Sequence, residues 1–235
     1  MKKIAVAVLF GLGLLSITFS GQAFAVGPTD QQVLVDQAET TLRAFQSDPD
    51  MKFFREALKN AKGALIIPEL FKGGLVLGGS IGKGVYLARD ARTGEWRGPV
   101  FYKISSGSLG IQAGAEVAEV IMLAMTDDAA NKMLSSHFKL TSDAQAAAWT
   151  TGVGTSGNSA VPFAAFISFA RPKGLYGGLD LEGSVAKPDD VANDKYYGKN
   201  VSPESILSRR MAPRHGSKLR KEMAEVETAS ARAID

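Results

Sequence analysis

The 235-residue sequence predicts an α+β domain: N-terminal helices packed on a strongly coiled, mainly antiparallel, glycine-rich sheet that tends towards a barrel. Three observations predict it. Apolar residues recur at helical spacing from Leu34 to Ala61. The period then drops from 3.6 to 2 after Gly63. Glycine occupies one face of the strand that follows, which lets another backbone lie close and permits tight coiling.

The first residues read as a targeting segment rather than as part of the fold. Lys2 and Lys3 precede an apolar run from Ile4 to Phe19, and Ala23-Phe24-Ala25 places small residues about a cleavage position. The run is short for a membrane span. The reading is a signal peptide over residues 1–25, a single domain over 26–210 and a basic, flexible tail over 211–235. It implies an exported protein of the periplasm or cell envelope. With no cysteine in the chain, a lipidated N-terminus, disulfides, thiol nucleophiles and Cys-ligated metals are excluded together. Removing Lys2 and Lys3 leaves 25 basic and 24 acidic residues, so no broad positive field is present to attract nucleic acid.

Thr29 or Asp30 caps the first helix, along which Leu34, Val35, Ala38, Leu42 and Phe45 recur, and Asp48-Pro49 ends it. Asp50 caps a second helix that runs to Gly63. Its apolar face holds Phe53, Phe54, Ala57, Leu58 and Ala61. Lys52, Arg55, Lys59 and Lys62 recur at i, i+3, i+7 and i+10, a cationic stripe on another face. A basic amphipathic helix of this kind either lies on a membrane surface or packs on the core with its lysines in water.

Residues 74–89 read as a long strand or bent hairpin. Leu75, Leu77, Ile81, Val85 and Leu87 line one face, and Gly74, Gly78, Ser80, Gly82, Gly84 and Ala88 the other. Trp96 to Gln112 form a second strand system. Val117 to Met125, apolar on both faces apart from Glu119, read as a central buried strand. Thr126-Asp127-Asp128 starts a short helix, and residues 150–161 form a loop. Val161–Phe169 and Leu175–Val185 then make a hairpin across Pro172-Lys173-Gly174. Short helices follow over 189–197 and 203–210. Beyond Met211 the apolar period fades, and the stretch from Arg209 to Lys221 is strongly basic.

The glycine run does not cradle a phosphate. A Walker loop needs glycine at residue 77 and a hydroxyl after Gly82-Lys83, where the sequence has leucine and Gly84. The dinucleotide fingerprint fails at Leu87, and a strand rather than a helix follows. Ser108 lacks the first glycine of a nucleophile elbow. Asp127-Asp128 is a helix start, Asp180 and Glu182 lie on the polar side of a strand, and His137 and His215 lack ligand spacing. No catalytic constellation, cofactor or metal is implied.

In order, "AKGALIIPELFKGGLVLGGSIGKGVYLARD", "GEWRGPVFYKISSGSLGIQAGAEVAEVIMLAM", "ISFARPKGLYGGLDLEGS" and "DDVANDKYYGKNVSPESIL" resemble the SYLF family, also known as the Ysc84-type actin-binding or lipid-binding domain. The resemblance spans roughly residues 30–209. It implies a non-enzymatic module with affinity for anionic lipid. Export would separate this chain from actin, so the lipid affinity alone carries over. The positions that fit are Lys52, Arg55, Lys59 and Lys62, with Phe53, Phe54 and Leu58 for insertion and Lys72 beside them in the Lys-Gly-Gly. The alternative is a self-assembling or partner-binding envelope scaffold, anchored by Trp96 and the "PVFY" run.

Overall fold

The computed structural model describes residues 29–74, 77–109, 114–136, 138–139, 146–150, 164–173, 184–198, 200–208 and 216–231. The expected signal segment, most of the 150–161 loop, Asp180, Glu182 and both histidines lie outside these residues.

Helix α1 (Asp30–Ser47) begins where the Thr29 hydroxyl oxygen accepts from the Gln32 amide at 3.2 Å. A short 3-10 turn (Pro49–Met51) leads into α2 (Lys52–Asn60). The cap expected from Asp50 is not made: α2 follows Met51 without a side-chain cap, and the Asp48 carboxylate caps the 3-10 turn by accepting from the Asp50 amide. Pro49 sits at the start of that turn, where a missing N–H costs nothing.

The strands are β1 (Gly63–Gly74), β2 (Leu77–Arg89), β3 (Trp96–Leu109), β4 (Gly114–Ala124), β5 (Phe138–Lys139), β6 (Ala146–Thr150), β7 (Phe166–Pro172) and β8 (Val185–Pro188). They form one sheet in the order β5-β8-β3-β2-β1-β4-β7-β6. Every pairing is antiparallel except β6 with β7. The remaining helices are α3 (Asp127–Lys132), α4 (Asp190–Tyr197), α5 (Pro203–Ser208) and α6 (Ser217–Ala231).

Helices cover both faces of this sheet. Val35, Leu42, Phe45, Phe54 and Leu58 from α1 and α2 meet Ile66, Val85, Phe101, Ile121 and Phe169 on one side. On the other, Leu65, Ile67, Tyr86, Tyr102, Val120 and Met122 pack against Met133 after α3 and Ile206 of α5. Two-sided burial is why Ala64–Ile67 and Val120–Ala124 are continuous apolar runs.

The glycines of β2 answer to this arrangement. Around Pro68 the register of β1 shifts against both neighbours, and Ile67 and Leu70 lie across the bare face of β2. A Cβ on Gly84 would stand 2.6 Å from the Ile66 carbonyl oxygen and 3.0 Å from Ile67 Cγ1. Gly84→Ala is therefore expected to destabilise the fold by about 1–3 kcal/mol in urea denaturation. Gly107→Ala, where nothing lies within 4 Å, should stay within about 0.5 kcal/mol of the parent. Equal midpoints for the two variants would show that the glycine face is not needed for packing.

The expected hairpin of Val161–Phe169 with Leu175–Val185 is corrected at its first arm: both edges of β7 are taken by β4 and β6, and β8, which starts at Val185, pairs with β3 and β5, while residues 174–183 lie outside the described residues. Within the stretch expected to be flexible or loosely helical, residues 217–231 form helix α6. Leu219 and Met223, four residues apart on α6, are buried against α1 and α2. Arg220 Nη1 donates to the Gly98 carbonyl at 2.8 Å, and Glu222 pairs with Arg43 at 3.0 Å.

Candidate functional site

Helix α2 carries most of the residues that the sequence nominates, and the fold divides them. Phe54 is fully buried, packed edge-on against Phe45 at 5.4 Å and Phe169 at 5.2 Å. Leu58 is buried as well, and Phe53 is half-buried with its ring 5.7 Å from Phe169. For these side chains to enter a bilayer, α2 would have to leave the sheet. Arg55 is engaged too: its Nη1 donates to the carbonyls of Asp48 at 2.6 Å and Gln46 at 3.1 Å, satisfying the end of α1. Lys52 is exposed, Lys59 pairs with Glu56 at 3.1 Å, and Lys62 is half-exposed where β1 begins.

The junction between α1 and α2 is tied to the sheet by charges. Arg171 on β7 donates from Nε to Asp48 and from Nη1 to Glu119, each at 3.0 Å, over the ring of Phe45. Glu119 also accepts from the Thr41 hydroxyl at 3.3 Å and pairs with Lys173 at 3.4 Å. The one charge in the apolar run of β4 is thus the centre of a bridge between layers.

Lys72 lies apart from α2, on β1, with Glu116 opposite it on β4 and Ser80 opposite it on β2. Burial raises the pKa of the Glu116 carboxyl, and the charge of Lys72 opposes that rise. The scaffold anchors are placed in this chain's own core: Trp96, Val100, Phe101 and Tyr102 are all buried, with the Tyr102 hydroxyl donating to the Met133 carbonyl.

One arrangement was not foreseen from sequence. Lys83, Lys103 and Lys187 are register partners across β2, β3 and β8, so they form a lateral row on the α1 side of the sheet. Beyond that row Phe71 and Ile81 face each other across β1 and β2, 50% and 68% exposed. No spacing in the chain signals this row, because strand pairing alone brings the three lysines together.

The fold is thus a layered α+β domain whose exposed lysines and apolar pair lie on a sheet, with its aromatic helix face turned inward. Residues 105–226 match the family described as Ysc84, Las17-binding protein actin regulator. The chain belongs to this Ysc84, or SYLF, family. It is 31% identical over 163 residues to LAS seventeen-binding protein 3 of Saccharomyces cerevisiae, which covers 67% of this chain and 35% of that protein. Protein YSC84 of the same yeast is 29% identical over 159 residues, 66% of this chain and 33% of its own length. Human SH3 domain-containing YSC84-like protein 1 is 25% identical over 187 residues, 77% of this chain and 54% of the relative. The chain therefore spans about a third of the yeast proteins and about half of the human one.

Proposed function

We propose that this chain is a non-enzymatic, exported module that associates peripherally with anionic phospholipid at the cell envelope. The observation that carries this reading is the unneutralised charge that remains after folding. Lys52, Lys62 and Lys83 make no ion pair among the described residues, and α2 with its approach to β1 holds four cations against Glu56 alone. With Phe54 and Leu58 held in the core, α2 can contribute through charge but not through insertion. A juxtamembrane cation contributes about 1 kcal/mol near an anionic surface, and salt screens it.

The test is co-sedimentation of residues 26–235 with phosphatidylglycerol-containing and with neutral vesicles. Binding is expected to the anionic set only and to fall by about tenfold or more as salt rises from 50 to 500 mM. Salt-insensitive binding, or equal binding to neutral vesicles, would count against the reading. The second reading, a partner-binding scaffold, is favoured by the family description, which names a protein partner for relatives. It predicts that vesicles are ignored and that sedimentation velocity finds the chain in a complex.

A further inference from the structure

We propose that the inner face of the curled sheet is a binding site for one acyl chain with an anionic head, as in a fatty acid or a lysophospholipid. The sheet bends far enough to enclose an interior. Phe138 on β5, at one edge, meets Phe166 on β7, next to the other edge, with ring centroids 4.8 Å apart. One end of this interior is plugged: the Tyr86 hydroxyl donates to the Ala130 carbonyl of α3 at 3.1 Å, and Ile206 of α5 packs into the same cluster. Farther along the strands a cavity remains between Ile67 on β1, Ile104 on β3, Val120 and Met122 on β4, and Phe138 on β5. The space free of atoms there is about 320 Å³, part of it open to solvent, and the enclosed room is about 20 Å³. Met122, unbranched and adaptable, and Phe138, on a strand of two residues, are the walls that yield to a longer guest.

Two features set this cavity apart from a packing gap. The first is Ser184, which lines it just before β8. Ser184 is 6% exposed, and its hydroxyl has no hydrogen-bond partner among the described residues. A buried hydroxyl left unpaired is costly, and a polar group of a guest would satisfy it. Water suits the place poorly, because the other lining side chains are apolar and a buried water needs two to four polar partners.

The second feature is a polar row beside the cavity on the same face. Two residues beyond Ile104, Ser106 stands opposite Ser80 on β2, Ser80 opposite Lys72 on β1, and Lys72 opposite Glu116 on β4. The hydroxyl oxygens of Ser80 and Ser106 are 2.7 Å apart, and Oε1 of Glu116 is buried without a hydrogen-bond partner. Residues two apart on a strand are separated by about 7 Å, so a head held on this row places the first carbons of its chain at Ile104. Lys72 supplies the cation for the head and the two serines supply hydroxyl donors. Helix α2 and the row of Lys83, Lys103 and Lys187 lie on the opposite face, so this site does not depend on association with a bilayer.

The test titrates cis-parinaric acid, a fatty acid that brightens in apolar surroundings, into residues 26–235 below its micelle concentration. Saturable binding of one molecule per chain is expected, with displacement by laurate. Displacement by lysophosphatidylglycerol as well would name phospholipid as a source of the chain. Ala186→Phe, which fills the cavity from β8, should weaken binding by about tenfold or more at an unchanged melting temperature. Lys72→Met should weaken it by about fivefold and abolish the preference for laurate over lauryl alcohol. Methyl NMR of the parent needs no variant: the Met122 signal should move on addition of laurate, while that of Met51, buried in the core on the opposite face, holds still. Absence of saturable binding overturns the proposal. Binding that leaves Met122 unmoved, or that persists undiminished in a folded Ala186→Phe variant, overturns it too, because the chain then sits elsewhere. Neither result bears on vesicle association, which co-sedimentation tests separately.

Discussion

Phe54→Ala is expected to destabilise the domain by about 3–5 kcal/mol, the largest loss predicted for a single substitution here. The ring has no exposed surface and is held edge-on by Phe45 from α1 and Phe169 from β7. Truncation removes the burial of an aromatic side chain, leaves a cavity at the meeting point of three elements and breaks two aromatic contacts of about 0.5–1.5 kcal/mol each. Neither neighbour can collapse into the space easily, since Phe45 also lies beneath Arg171 and Phe169 is fixed in the middle of a paired strand. Urea denaturation of the full domain measures this directly. A ring that inserted into membranes from the free protein would behave otherwise, with a midpoint close to the parent and weakened vesicle binding.

Asn193→Ala is expected to cost about 3 kcal/mol, for a different reason. Strand β8 ends at Pro188, and beyond it the outer edge of β3 has no strand to pair with among the described residues. The fully buried side chain of Asn193 on α4 takes that place. Its Oδ1 accepts from the Phe101 amide at 2.9 Å, and its Nδ2 donates to the Phe101 carbonyl at 3.3 Å. The Phe101 carbonyl keeps a second partner in the Asp189 amide at 2.8 Å, so the amide is the group left unpaired in the variant. An unpaired buried donor costs about 1–3 kcal/mol, to which the lost packing of the side chain adds. Hydrogen exchange at Phe101 would rise far more than exchange at Val85, its partner on β2, if the side chain acts as a surrogate strand. Equal acceleration at both sites would show a general loss of stability instead.

Much of the fold was legible because its signals are local. Thr29 and Thr126 accept hydrogen bonds as helix caps where the sequence placed them. The change of period at Gly63 marks the start of β1, and Val117–Met125 falls on β4, an interior strand between β1 and β7. The partner of β7 was not legible. Strand propensity marks a strand without naming its neighbours, and only the pairing of the whole sheet places β7 between β4 and β6. The docking of α6 was missed because two buried residues, Leu219 and Met223, are a thin signal in a basic stretch.

The candidate site divides in the same way. Periodicity identified the buried face of α2 through Phe54, Ala57 and Leu58, although the helix ends at Asn60 and leaves Lys62 beyond it, but an amphipathic pattern does not say whether its apolar side meets a sheet or a membrane. The sheet claims Phe54 and Leu58, and the end of α1 claims Arg55. Lys83 and Lys103 are isolated in sequence and become neighbours only through the β2–β3 register.

By itself the sequence determined the class of fold, the starts of α1 and α3, the buried strand β4 and the absence of thiol chemistry, since these follow from composition, caps and periods of a few residues. Tertiary structure alone decided which apolar faces are core and which remain in water. Burial depends on which surfaces meet, and that is a property of strand order and register across the whole chain.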